Sequence, residues 1–188
     1  MAARIVVLKG SPREKGNSST LAEEAAEGAR AEGATVESFS LHSMDIRPCR
    51  ACDGCLKTGV CLIKDDMRTL GPKLRAADAV ILASPVYWFS MSAQLKTCMD
   101  RWYALWHPKN DFLKGRKIGI ILAYGDADLV TSGGRNAVRT LKDAAAYLEA
   151  EVVGCVHGSL SGIGDARKNP KLMAAAFRLG KRLARAAS

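Results

Sequence analysis

Short apolar runs alternate along the chain with longer stretches whose apolar positions recur every three to four residues. The first period suits buried strands and the second suits amphipathic helices. "RIVVL" (4–8) predicts a strand, and "SSTLAEEAAEGARAEG" (18–33) predicts a helix opened by hydroxyl residues and closed at Gly33. "TVESFSL" (35–41) predicts the next strand. "DDMRTLGPKLRAAD" (65–78) predicts a helix begun at an aspartate cap and kinked or split at Gly71 and Pro72, since proline removes a backbone donor. A strand over 79–84 precedes a helix on which Leu95, Cys98, Met99 and Trp102 share one face. A strand over 117–123, a helix lined by Val138, Leu141, Ala145 and Leu148, a strand in "VVGCVHG", and a helix lined by Leu172, Ala176, Leu179 and Leu183 complete the pattern.

Five such βα units predict a parallel sheet covered by helices on both faces and wound by right-handed crossovers. Ligands of these sheets sit beyond the carboxyl ends of the strands, where the strand order reverses. The loops after the first, third and fourth strands are therefore the first places to look for chemistry.

Composition narrows the picture. The 188 residues, 48% of them hydrophobic, suit one globular domain, with a cysteine-rich loop at 47–64. The apolar run Ile5–Leu8 is too short for a signal-peptide core, and no stretch nears the roughly 18 apolar residues of a membrane span, so a cytoplasmic protein without membrane association is expected. Thiols stay reduced in that compartment, and clustered cysteines there favour metal binding or redox chemistry over disulfides. The net charge of +9 favours anionic partners. Many of the cations fall on polar helix faces, which makes nucleic acid the weaker reading.

The first loop, "GSPREKGNSSTL", combines tight-turn glycines at Gly10 and Gly16 with Asn17, Ser18, Ser19 and Thr20 at a helix N-terminus, where amides, hydroxyls and the helix dipole favour a phosphate. Simple helix capping is the alternative. Five residues separate the two glycines and no lysine follows, so the loop is not a Walker site. In the third loop, "SPVYWFSMSAQLKTCMDR", Tyr87, Trp88 and Phe89 cannot all face the core of one turn, and some are expected to line a flat ligand. Cys49, Cys52, Cys55 and Cys61 follow a C-x2-C-x2-C-x5-C spacing. That compactness suits an iron-sulfur cluster better than zinc, whose four-cysteine sites usually draw on two separated pairs; thiols without metal are the alternative. Cys98 and Cys155 stand apart and are expected to pack in the core, and Asp65 and Asp66 to act as helix caps.

These two loops, with the four cysteines running into "DDM", resemble the NADPH-dependent FMN reductase and iron-sulfur flavoprotein group of flavodoxin-like proteins. The resemblance implies a flavodoxin-like, doubly wound five-stranded parallel sheet of order 2-1-3-4-5. It implies FMN, with phosphate on Ser11, Arg13, Asn17, Ser18, Ser19 and Thr20, and the ring beside Pro85, Val86, Tyr87, Trp88, Phe89 and Ser90. Tyr124, Gly125 and Asp126 would close the ring's other side. It also implies a 4Fe-4S cluster on Cys49, Cys52, Cys55 and Cys61.

The function expected is oxidoreduction, moving electrons between NAD(P)H or ferredoxin and a small acceptor; alternatives are a cluster-free NAD(P)H:FMN or quinone reductase and a flavodoxin-type carrier. Flavodoxins are typically acidic, so the charge of +9 weighs against the carrier. A homodimer or homotetramer is expected, because a flavin in a shallow edge groove leaves its open face and the aromatic loop to be covered.

Overall fold

The computed structural model describes residues 2–109 and 111–188. Six strands and six α-helices follow in the order β1 (Arg4–Lys9), α1 (Asn17–Arg30), β2 (Thr35–Ser40), α2 (Met67–Ala76), β3 (Ala79–Tyr87), β4 (Ser90–Met91), α3 (Ala93–Asp100), α4 (Trp102–Trp106), β5 (Lys117–Tyr124), α5 (Gly134–Tyr147), β6 (Glu151–Ser159) and α6 (Pro170–Ala187). β2, β1, β3, β5 and β6 lie side by side, all parallel. Counted among the parallel strands alone, this is the expected order 2-1-3-4-5. The sixth strand, β4, is two residues long and pairs antiparallel with the end of β3. The aromatic turn is thus a tight hairpin, an addition that two residues of alternating polarity could not announce.

Strand periodicity divides the core in two. Val6, Leu8, Val80, Leu82, Ile118, Ile120 and Leu122 face one side with residues of α2, α3, α4 and α5. Ile5, Val7, Ala79, Ile81, Ala83 and Ile121 face the other with α1 and α6. Those two helices cross very closely: a Cβ on Gly180 would lie 1.8 Å from the Ala25 carbonyl oxygen, and one on Gly28 2.0 Å from that of Phe177.

Several boundaries differ from expectation. α1 ends at Arg30, and the chain leaves through Gly33 at φ 84°. α2 is not split, because Pro72 deprives only the carbonyl of exposed Arg68 of its donor while Leu70 and Leu74 stay fully buried. The helix expected to carry Leu95, Cys98, Met99 and Trp102 on one face instead breaks at Arg101, the most voluminous fully buried side chain among the described residues. Asp66 stands at the N-cap of α2 but its side chain caps nothing, accepting instead from the Asp45 amide at 2.8 Å, while Asp65 accepts from the Met67 amide at 3.2 Å and the Arg47 amide at 3.0 Å. Both carboxylates tie the incoming cysteine loop to the start of α2. No helix among the described residues is long and apolar enough to cross a membrane.

Candidate functional site

β1 has neighbours on both sides, so the strand order reverses between β1 and β3. The loops leaving those strands are stitched together there. The Gly10 amide donates to the Ala83 carbonyl at 2.8 Å, the Ser92 hydroxyl donates to the Gly10 carbonyl at 2.7 Å, and the Ser92 amide donates to the Ser84 hydroxyl at 2.8 Å.

Beyond this seam lies a cavity of about 190 Å³ that Ser11, Arg13, Asn17 and Ser18 share with Pro85, Val86, Tyr87, Tyr124 and Gly125. Ser11 and Ser18 are buried, and Gly16 lets the loop fold back on itself, since a Cβ there would come within 2.4 Å of the Ser11 hydroxyl. No side chain caps α1, which leaves the amides of its first turn free of that partner. Amides and hydroxyls at a helix N-terminus beside a cationic Arg13 form an anion seat.

A second cavity of about 220 Å³ continues from the first, sharing Val86, Tyr124 and Gly125 and adding Trp88, Phe89, Asp126, Thr131 and Ser132. Trp88 and Phe89 take left-handed φ values of 45° and 66°, which turn their rings out of the core; Trp88 is 94% exposed. Phe89 rests on Gly133, where a Cβ would come within 2.4 Å of its Cα. The Tyr124 hydroxyl and His157 Nδ1 are 3.1 Å apart and hydrogen-bonded, and burial pushes the Tyr124 phenol up.

The expected residues do not all behave alike. Ser19 and Thr20, the third and fourth residues of α1, fall outside the lining, and Ser19 is buried. Ser90 is consumed in the β4 hairpin and lines neither cavity. The Asn17 side chain is a strut: its amide donates to the carbonyls of Leu160 and Gly162 at 3.3 and 2.8 Å, and its oxygen accepts from the Ala166 amide at 3.1 Å. Leu160, Ser161 and Ile163, which follow β6 and also line the cavity, escape sequence reasoning. The signal was available in "SLSGIG", a small-residue loop at the same sheet edge.

Cys49, Cys52, Cys55 and Cys61 together line a separate cavity against α3 and α4, on the loop between β2 and α2. Ala51 and Asp53 take left-handed φ values of 49° and 52° on either side of Cys52, and Gly59 takes 68°, so the chain bends repeatedly around the thiols. Cys49 and Cys52 are exposed, Cys61 is half-buried and Cys55 is buried. Burial pushes the Cys55 thiol up, and the neighbouring Cys61, Cys49 and Cys52 add to the effect, which marks the four as electrostatic neighbours. Among the described residues, no three His, Cys, Asp or Glu side chains converge on a point fit for one metal ion. By contrast, Cys98 is held up to about 12 and Cys155 to about 11 by burial, as thiols of the packed interior.

The sequence profile of the NADPH-dependent FMN reductase family matches residues 3–164. The chain belongs to this family. Membership implies FMN as cofactor and oxidoreduction as the class of chemistry. Within reach of the family lie an iron-sulfur flavoprotein of Methanocaldococcus jannaschii, 41% identical over 98 residues (52% of this chain, 51% of that one), and a putative NAD(P)H-dependent FMN-containing oxidoreductase of Bacillus subtilis, 28% identical over 184 residues (95% and 97%). The chain spans only 51–63% of the length of the first four iron-sulfur flavoproteins it matches. An NAD(P)H:quinone oxidoreductase from Methanothermobacter marburgensis shares the fold, with a TM-score of 0.74 at 20% identity over 97% of this chain and 96% of that one.

Proposed function

We propose that this chain is an FMN-dependent oxidoreductase that moves electrons between NAD(P)H or a ferredoxin and a small acceptor, with a 4Fe-4S cluster on its four cysteines. The observation that carries the reading is a two-chamber groove at the carboxyl edge of the sheet, together with a loop leaving β2 whose four cysteines line one cavity. The groove suits FMN in both parts: an anion seat at one end and an aromatic, largely open chamber at the other.

Ser11, Arg13, Ser18 and the first amides of α1 would hold the phosphate. Pro85, Val86, Tyr87, Trp88 and Phe89 would flank the ring from one side, and Tyr124, Gly125 and Asp126 from the other. FMN, when bound, takes two electrons at once and releases them singly. The chain's task is to seat the phosphate and leave one ring face open to a nicotinamide.

The donor set of the cysteine loop suits a cluster: a cubane takes one thiolate per iron, and four thiols of one loop line a single cavity. The names of several relatives, iron-sulfur flavoproteins, support the same reading. Arg50 and Lys57 in the loop and the net charge of +9 suit an acidic protein donor or NADPH phosphates.

A second copy of the chain would cover the aromatic turn, where Tyr87, Trp88 and Phe89 are all exposed. Anaerobic titration of FMN-loaded protein, first with NADPH and then with reduced ferredoxin, tests the activity. Bleaching of the flavin band by either donor supports it, and a band untouched by both would overturn it.

A further inference from the structure

Arg101 is 2% exposed, and the Asp65 side chain it faces is wholly buried. One terminal nitrogen of the guanidinium donates to Asp65 Oδ2 at 2.5 Å and to the Arg47 carbonyl at 2.7 Å; the other donates to Asp65 Oδ1 at 3.2 Å and to Cys61 Sγ at 3.2 Å. The Arg47 amide returns a bond to Asp65 Oδ2 at 3.0 Å. Arg47 stands two residues before the first cysteine and Cys61 is the last, so a single buried ion pair clasps both ends of the cysteine loop.

Stability alone is a weak reason for such a pair, since desolvating two charges costs about as much as their attraction returns. Its distribution of donors points to something more specific. Cys49, Cys52 and Cys55 are spaced so that local backbone turns can bring them together, whereas Cys61 arrives after five further residues and needs an anchor from elsewhere in the fold. Arg101 supplies that anchor from the break between α3 and α4.

Resting on the cluster reading above, we propose that Arg101, oriented by Asp65, is a positioning residue for the fourth cluster ligand, and that its N–H···S bond and fixed charge at Cys61 raise the cluster's reduction potential. Hydrogen bonds to ligand sulfurs are a principal control on such potentials, and a charge-assisted bond favours the more negative, reduced state. Arginine fits this role because it keeps its charge when buried and offers several donors in a fixed plane.

The test is an anaerobic redox titration of FMN- and iron-loaded protein, following the cluster and flavin couples separately. Removing Arg101 alone strands a buried Asp65 carboxylate and endangers folding, so the main variant is the double replacement Asp65→Asn with Arg101→Gln. The cluster couple is expected to move to more negative potential by about a tenfold change in its one-electron equilibrium, about 59 mV, while the flavin couple stays in place. Arg68→Gln, at an exposed side chain of α2 that makes no bond to the sulfur, is expected to leave both couples unmoved. Arg101→Lys, which keeps the charge but loses the fork, is expected to shift the cluster couple in the same direction by less, and it decides the matter if the double variant does not fold. A wild-type cluster potential in whichever variant folds, with iron fully retained, would overturn the proposal. A wild-type protein that shows a flavin couple but no cluster couple after anaerobic reconstitution would overturn the cluster reading itself.

Discussion

The groove at the carboxyl edge of the sheet and the cysteine loop that packs against α3 and α4 are built in opposite ways. The groove is made by strand ends and helix starts: Gly10, Ser84 and Ser92 lock the loops after β1 and β3 together with buried bonds of 2.7–2.8 Å, and Ser11 and Ser18 are buried. The cysteine loop contributes no regular element between Ser43 and Met67. It turns through left-handed residues, keeps two thiols exposed, and is fastened by one ion pair beneath it. On the proposed reading, preorganised backbone would serve FMN, while ligation would complete the order of the cysteine loop.

That contrast can be broken most severely at the thiols. Replacing Cys49, Cys52, Cys55 or Cys61 by Ala is expected to reduce iron to background in each case, with FMN content unchanged, whereas Cys98→Ala keeps its iron; parallel iron and flavin analysis of the five variants checks this. Next in size is Arg13→Glu, which reverses charge at the exposed rim of the anion seat without entering the core. FMN affinity should fall about 100-fold, with iron unaffected, as read by flavin fluorescence on dilution.

A third change lies away from both sites. Gly180→Val drives a side chain into the α1 backbone, where even a Cβ would sit 1.8 Å from the Ala25 carbonyl. A loss of about 3 kcal/mol is expected, roughly 9 °C in Tm. The smallest effect concerns Glu32, which Arg185 and Lys181 hold down to about 2 through hydrogen bonds across the same helix pair. A carboxylate with a depressed folded pKa contributes stability above its unfolded value, near 4.5, that disappears as pH falls through about 2. Glu32→Gln should therefore lower Tm slightly at neutral pH, with the gap to wild type closing as pH falls from about 4.5 to about 2, so that the acid limb of a Tm-against-pH curve flattens.

Much of this was legible in the sequence because it rests on local pattern. β1, β3 and β5 announce themselves as short apolar runs and the edge strand β2 as an alternation, and the loops rich in glycine, serine and aromatics fall where a doubly wound sheet puts its ligands. What escaped depends on contacts distant in sequence. The break at Arg101 lies inside a good helical pattern and follows a side chain drawn toward Asp65, 36 residues earlier. Asn17 looks like a phosphate ligand beside Ser18 but spends its side chain on a loop more than 140 residues away. The lining role of Leu160, Ser161 and Ile163 needed the pairing of β5 with β6 to bring that loop over the groove.

The central claim is that one chain carries both an FMN and a cluster. Protein purified without oxygen and assayed for flavin, iron and acid-labile sulfide, alongside its visible spectrum, tests this most directly. The account predicts one FMN per chain together with equal amounts of iron and sulfide, and broad cluster absorption beneath the flavin bands. A yellow protein with a full complement of flavin and negligible iron and sulfide, even after anaerobic reconstitution, would contradict it.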